Sequence, residues 1–173
     1  MRFAAILLIG LLAGCVGRPS LEDPALSTRA LNLEEYFDGE LRAWGQFQDR
    51  FGNVSRRFTV DIDGDWDGET LTLTEDFVYE DGSTERRVWT LRKTGPDSWT
   101  GSAPGVIGAA EGEERGDAFN WRYTIDLPVP DGTLRVSFDD WMWLLDDRRV
   151  LNRAYMDKYG VEIGQVIIFF EKL

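Results

Sequence analysis

Apolar residues at every second position, interrupted at short intervals by turn residues, constrain the fold of this chain more than any other sequence feature. Phe58, Val60 and Ile62 are separated by single polar residues, and apolar and polar residues also alternate through residues 118–127. A period of two is typical of a β-strand with one buried and one solvated face. Sequential strands with short connections favour a barrel over a sandwich. The sequence therefore predicts an all-β fold, built as an antiparallel up-and-down β-barrel.

Strand signals recur along the chain from residue 41 onward, and their number fits a barrel of about eight to ten strands. The predicted strands are 41–50, 55–62, 69–79, 84–93, 98–102, 118–127, 133–138, 141–146, 150–157 and 162–171. Turn residues such as Asp81-Gly82 and Asp131-Gly132 separate them. The glycine-rich stretch 103–117 lacks alternation and is predicted to be a loop or a lid. A barrel of this size is lipocalin-like, with an interior that side chains fill or that holds one small ligand.

The N-terminus is organised as a secretory leader that ends in a cysteine. Arg2 is followed by an apolar run over residues 3–12, which is too short to span a bilayer as a helix. The segment Leu12-Ala13-Gly14-Cys15 resembles the lipobox of bacterial lipoproteins, in which the cysteine is acylated and the chain is cut before it. An ordinary leader with a chance cysteine is the alternative.

This resemblance implies a division of the chain into three parts and a location. Residues 1–14 are the predicted lipoprotein signal peptide, residues 15–32 the lipidated N-terminus and tether, and residues 33–173 the barrel domain. Acylated Cys15 makes the membrane a predicted partner. Val16 follows the cysteine where aspartate commonly retains lipoproteins in the inner membrane, so we expect a bacterial envelope protein at the outer membrane, facing the periplasm.

Composition limits the chemistry that the folded domain performs. Histidine is absent and Cys15 is the single cysteine, which excludes Ser-His-Asp and Cys-His sites and the commonest metal ligand. We therefore expect no enzyme, no catalytic residue and no cofactor. The net charge of −12 is unfavourable for nucleic acid, which we do not expect as a partner.

An aspartate-rich stretch between two predicted strands resembles the first half of a calcium-binding loop. Asp63, Asp65, Asp67 and Gly68 match the start of an EF-hand loop. Thr74 stands where the loop needs its bidentate glutamate, and strand periodicity flanks the stretch in place of helices. Asp and Gly are ordinary residues of a hairpin turn. We predict a turn and no metal site.

Aromatic residues are the candidates for a binding site, since all seven tryptophans follow the leader. Rings on the buried faces of the strands either fill the core or line a cavity for an apolar guest. Small residues on the first strand are predicted to leave space beside the rings. The predicted cavity residues are Ala43, Gly45, Phe47, Trp89, Trp121 and Tyr123.

Adjacent like charges provide a second set of candidates. The acid pairs 139–140 and 146–147 are predicted in turns or on the surface, because neighbouring strand residues point to opposite faces. By the same alternation, one arginine of each pair 56–57 and 86–87 should face the interior. A buried arginine requires a carboxylate partner or an anionic group of a ligand.

Four segments of the chain resemble a family of uncharacterised bacterial lipoproteins that contain a domain of unknown function. The segments are YFDGELRAWGQFQDRFGNVSRRFTVDIDGDW (36–66), FVYEDGSTERRVWTL (77–91), FNWRYTIDLPV (119–129) and DDWMWLLDDRRVLNRA (139–154). The resemblance extends over nearly the whole mature chain. It implies an envelope location and a lipocalin-like barrel, and it provides no assigned catalytic or binding residues to transfer.

Two functions are compatible with these features. The first is a lipid-anchored binding protein whose barrel holds or passes on a small hydrophobic or lipid-like molecule. The second is a non-catalytic structural or interaction lipoprotein with a solid barrel, whose partner is another envelope protein. A cavity inside the barrel would separate the two.

Overall fold

The computed structural model describes residues 17–23, 27–129 and 132–173, and in this part of the chain ten β-strands form one closed barrel. The predicted leader and the predicted lipidation site at Cys15 lie outside the described residues. One short helix, α1 (Leu33–Phe37), precedes the first strand. Among the described residues, no helix is long and apolar enough to cross a membrane.

The strands follow one another around the barrel in chain order. They are β1 (Gly39–Asp49), β2 (Val54–Trp66), β3 (Thr70–Tyr79), β4 (Thr84–Lys93), β5 (Ser98–Ser102), β6 (Ala110–Arg115), β7 (Ala118–Val129), β8 (Gly132–Leu144), β9 (Arg149–Lys158) and β10 (Val161–Lys172). Each pairs antiparallel with the next, and β10 pairs with β1 to close the barrel. The predicted all-β, antiparallel up-and-down barrel is confirmed.

The core lies inside the barrel, where every second residue of each strand points. Along β2, Phe58, Val60 and Ile62 are buried while Thr59 and Asp61 are exposed. Their apolar area is removed from water and contributes roughly 25 cal/mol per Å² to stability. The apolar positions of the alternating pattern therefore correspond to the inner face of the barrel, and the polar positions to its outer face.

Two strand predictions are wrong, and their errors cancel in the count. The stretch predicted as a loop or lid contains β6, whose inward positions are Ala110, Gly112 and Glu114. The two strands predicted over 133–146 form the single strand β8, which runs through the acid pair 139–140 without a turn. β6 lacks large apolar residues at alternate positions, and Asp140 interrupts the apolar alternation of β8 at the point where the break was predicted.

The aspartate-rich stretch is largely strand. Asp63 and Asp65 lie exposed on the outer face of β2, and the turn begins at Asp67. The Asp67 carboxylate accepts hydrogen bonds from the backbone N–H groups of Glu69 and Thr70, at 2.9 and 2.7 Å, and these bonds lower its pKa. Gly68 supplies the left-handed backbone that the turn requires, with φ of +99°. Asp67, one of the three aspartates that the calcium interpretation needed, thus already accepts hydrogen bonds from the amides of the turn.

The N-terminal segment is held against the outside of the barrel. Arg18 bonds Asp157 at the end of β9 and Glu162 at the start of β10, at 2.9 and 3.1 Å. Further along, Glu22 pairs with Arg115 at the opposite end of the barrel. The segment predicted as a tether therefore contacts the barrel in its described parts and runs along its length.

Candidate functional site

The barrel encloses a cavity of about 250 Å³. Its wall is mainly apolar and aromatic, as is typical of a small-molecule site. The apolar lining includes Phe47, Phe58, Leu73, Phe77, Trp89, Leu91, Phe119, Trp121, Tyr123, Ile125, Phe138, Ala154, Val166, Ile168 and Phe170. The rings pack on one another, with Trp89 and Tyr123 edge to face at 5.1 Å between centroids.

One end of this cavity is closed by α1. Leu33 and Phe37 are buried and contribute to the cavity wall. Glu114 on β6 holds the helix in place, because its Oε1 accepts hydrogen bonds from the Leu33 N–H at 2.8 Å and from Trp99 Nε1 at 2.9 Å. Burial raises the pKa of the Glu114 carboxyl, against these two hydrogen bonds. A buried polar network thus fixes the helix over this end.

The other end of the cavity opens to solvent. Arg56 and Glu85 line the cavity near the starts of β2 and β4, and 41% and 42% of their side-chain surfaces are exposed. Exposed Pro128, near the end of β7, also contributes to the lining. These three positions lie at the end of the barrel opposite α1. We call this end the mouth.

The cavity brings together four of the six residues that the sequence predicted for it. Phe47, Trp89, Trp121 and Tyr123 contribute to the lining. Ala43 is fully buried on the inner face of β1 but does not reach the cavity.

Gly45 does not line the cavity either, although the sequence predicted open space beside it. A β-carbon at this position would overlap the ring of Phe58 on the neighbouring strand. The space that the small residue leaves is therefore filled by an aromatic side chain.

Charged groups from β3 and β4 project into the apolar interior. Glu75 and Arg87 are cross-strand partners on the inner face. The guanidinium of Arg87 donates to Glu85 Oε1 at 2.8 Å, and the Tyr79 hydroxyl donates to Glu85 Oε2 at 2.8 Å. Burial raises the pKa of Glu75 to about 7, with the nearby charge of Arg87 opposing the rise.

A second buried acid comes from β8. Asp140 is 8% exposed and accepts a hydrogen bond from the Asn152 side chain on β9. Burial raises its pKa to about 7, the Asn152 bond opposes this, and the charges of Asp139 and Glu75 add to the rise. Two carboxyls inside one cavity are therefore poised to gain or lose a proton near neutral pH.

Sequence reasoning found part of this polar cluster. Alternation placed one arginine of each pair inward, and Arg56 and Arg87 are the two that line the cavity. The prediction that both acids of pair 139–140 are surface or turn residues is wrong for Asp140, which β8 directs inward. The continuous apolar pattern on both sides of the pair was the available signal that no turn interrupts it.

Two comparisons with known proteins bear on this barrel. The family model described as "Protein of unknown function (DUF3833)" matches residues 9–172. Among solved structures, the S-type phycobiliprotein lyase CPES from Guillardia theta aligns with a TM-score of 0.56 at 9% identity, over 79% of this chain and 87% of that chain. No curated protein matches the sequence. The structural likeness confirms the lipocalin-like barrel.

The same likeness corrects the prediction that the chain is not an enzyme. That prediction depended on the absence of histidine and of a recognisable catalytic motif. A protein named a lyase has this barrel, so the fold is found in enzymes as well as in binding proteins. The absence of histidine excludes one kind of general acid or base. The buried carboxyls of Glu75 and Asp140 remain as groups that can exchange a proton.

Proposed function

We propose that this chain, which belongs to the family described as protein of unknown function (DUF3833), is a lipid-anchored envelope protein that binds a small, largely apolar molecule inside its barrel. The observation that carries the proposal is the ring-lined cavity of about 250 Å³, closed by α1 and open at the mouth. Burial of an apolar guest against these rings supplies the driving force. The phycobiliprotein lyase shares this barrel fold, and a barrel of this size holds one small ligand where side chains do not fill it.

The alternative, a structural lipoprotein with a solid barrel, requires side chains packed across the barrel axis. Protein interiors are close-packed and contain few voids larger than a water molecule. A mostly apolar space of this size, with an open end, is therefore unexpected for a purely structural core. The cavity favours binding over the solid-barrel function.

The lipid anchor is proposed from the leader, and the position of the N-terminal segment supports it. Arg18 is held beside the turn between β9 and β10, at the mouth end of the barrel. Cys15 precedes Gly17 by two residues in the sequence, and at about 3.6 Å per residue two residues span at most roughly 7 Å. Acyl chains on Cys15 would bring the mouth close to the bilayer, at the outer membrane and facing the periplasm.

Exposed apolar side chains at the mouth end are consistent with this orientation. Phe51 in the β1–β2 turn is 76% exposed, and Tyr159 in the β9–β10 turn is 95% exposed. Arg50 lies over the Phe51 ring and Lys158 over the Tyr159 ring, at 4.8 and 5.6 Å. Aromatic rings beside cationic groups suit the interface between lipid headgroups and acyl chains.

Saturable quenching or a shift of tryptophan fluorescence is expected when lipid-like molecules are titrated into the chain from Val16 onward. This part of the protein contains the whole barrel, its core and α1. Trp89 and Trp121 line the cavity and would contact the guest. Replacing Ala154→Leu should weaken binding about tenfold or more, because Ala154 lines the cavity and the larger side chain occupies it.

Ala30→Leu is the matched control, since Ala30 is exposed outside the barrel, and it should bind like the unmodified chain. Mass spectrometry of protein purified from its native membrane provides an unbiased check for a bound molecule. Absence of any saturable binding, together with no co-purified molecule, would refute the carrier function.

The substitution Cys15→Ser should abolish acylation and leave an uncleaved or soluble precursor. Labelled fatty acid incorporated into the chain measures the modification, and membrane fractionation measures the anchor. Membrane association of the unmodified protein should resist high salt, because buried acyl chains supply it and not charge. Unchanged acylation of the Cys15→Ser protein would show that the lipoprotein proposal is wrong.

A further inference from the structure

Two buried hydrogen-bond acceptors in the cavity wall lack a donor. Glu75 Oε2 and Asn152 Oδ1 accept no hydrogen bond from any residue in the described part of the chain. Both side chains line the cavity, one from β3 and the other from β9. Buried polar atoms are nearly always hydrogen-bonded, so two such acceptors facing one cavity point to a bound partner.

The orientation of the Asn152 amide is fixed by its other contacts. Its Nδ2 donates to Asp140 Oδ1 and, at 3.0 Å, to the backbone oxygen of Trp141. Rotating the amide would turn its oxygen toward these two acceptors. Oδ1 is therefore the atom presented to the cavity.

Glu75 has a neighbouring positive charge, but no residue in the described ranges donates a hydrogen bond to its Oε2. Arg87 is its cross-strand partner, yet the guanidinium donates to Glu85. Glu85 in turn has both oxygens occupied, by Arg87 and by the Tyr79 hydroxyl. Glu75 is thus the acid in this cluster whose oxygen remains available to a ligand.

We infer that the molecule bound in the barrel is amphipathic, with an apolar body and a head that donates hydrogen bonds, such as the hydroxyls of a glycerol ester or an amino group. The inference rests on the proposed function and names the ligand class of the same cavity. A hydroxyl or amino head satisfies Glu75 Oε2 and Asn152 Oδ1. An ionised carboxylate head would bring further acceptors to a wall that already contains Glu75 and Asp140.

Three decanoyl probes separate the alternatives on the chain from Val16 onward. Monodecanoylglycerol offers hydroxyl donors, methyl decanoate offers none, and decanoate is an anion. The titrations are made at about pH 8.5, where Glu75, with its pKa raised by burial to about 7, is ionised. The ionisable groups around it are Arg87 and Glu85 on β4, Tyr123 on β7 and Asp140 on β8.

We expect the glycerol ester to bind at least about tenfold more tightly than either the methyl ester or the anion. The methyl ester and the anion have no donor, so each leaves the two buried acceptors unpaired. Equal or tighter binding of methyl decanoate or decanoate would overturn the inference and leave the proposed function intact. Failure of every probe to bind saturably would overturn both. This comparison uses the unmodified sequence and does not depend on a variant.

A pair of substitutions tests whether the unpaired acceptor is responsible. Glu75→Gln replaces one oxygen by a donor and should abolish most of the preference for the glycerol ester. Asp76→Asn is the matched control, because it removes the same charge from the neighbouring position of β3 and leaves Glu75 Oε2 in place. The Asp76 side chain is partly exposed and pairs with Arg86 outside the cavity, so the preference should persist. Loss of the preference in both variants would assign it to charge and contradict the inference.

Discussion

Gly64→Ala should lower the free energy of unfolding by about 3 kcal/mol or more and the melting temperature by roughly 10 °C. A β-carbon at Gly64 would overlap the carbonyl oxygen of Phe37, at the end of α1. Backbone is not free to rotate away as a side chain is, so α1 must move off the closed end of the barrel. Leu33 and Phe37, both buried, would then lose their packing. Thermal and denaturant unfolding measure the loss.

Gly95→Ala is the matched control for this substitution. Gly95 lies between β4 and β5, and a β-carbon there would meet Ser98 Cβ at an ordinary 3.6 Å. We expect a change within about 0.5 kcal/mol, or slight stabilisation because alanine restricts the unfolded chain. Similar stability of the two variants would mean that α1 is not packed tightly on β2.

Gly64 also illustrates where sequence reasoning stops. In the sequence it lies in the aspartate-rich stretch that is predicted to be a turn. The structure places it inside β2, paired with Gly39 and Leu73. The absence of a side chain at Gly64 leaves room for the backbone of α1, which is distant in the sequence. The residues around Gly64 contain no signal for this contact.

The barrel itself was predictable because most inward positions are large and apolar. β6 was missed since its inward residues are Ala110, Gly112 and Glu114. A β-carbon at Gly112 would lie 2.6 Å from the Phe119 ring, so the glycine makes room for the rings of β7. The missing apolar volume on β6 is supplied by its neighbour, and only the strand pairing reveals this.

The aromatic part of the site followed from alternation, whereas its polar part did not. Alternation tells that one of two adjacent charges points inward, and in the pair 86–87 that residue is Arg87. It does not tell that Glu75 stands directly across from that arginine, because this depends on the register between β3 and β4. Nor does it predict that Asn152 on β9 provides the amide that permits Asp140 to be buried. Cross-strand register determines both pairs.

Asp140→Asn should stabilise the protein at alkaline pH and leave it nearly unchanged in acid. The pKa of Asp140 is raised from 3.8 to about 7, chiefly by burial. The folded state therefore holds this proton more tightly than the unfolded state does. The stability that the group contributes is present below about pH 4 and is lost as the pH rises through about 7, because ionisation inside the barrel is costly.

The expected size follows from about 1.4 kcal/mol per pKa unit, which gives a difference on the order of 2–4 kcal/mol between the variant and the unmodified protein at pH 8. Asparagine has the same shape, and its oxygen can still accept from Asn152. The substitution therefore removes the charge while it keeps the volume of the side chain and its acceptor for Asn152.

Denaturant unfolding of both proteins between pH 4 and pH 8 measures this difference directly. Subtracting one curve from the other removes the contribution of surface acids such as Asp76 and Asp126, whose pKa values are lowered by hydrogen bonds to Arg86 and Arg135. Asp63→Asn is the control, because Asp63 is exposed on the outer face of β2, and its difference should stay within about 0.5 kcal/mol. An Asp140→Asn difference that does not grow with pH would show that this carboxyl is not held protonated in the barrel.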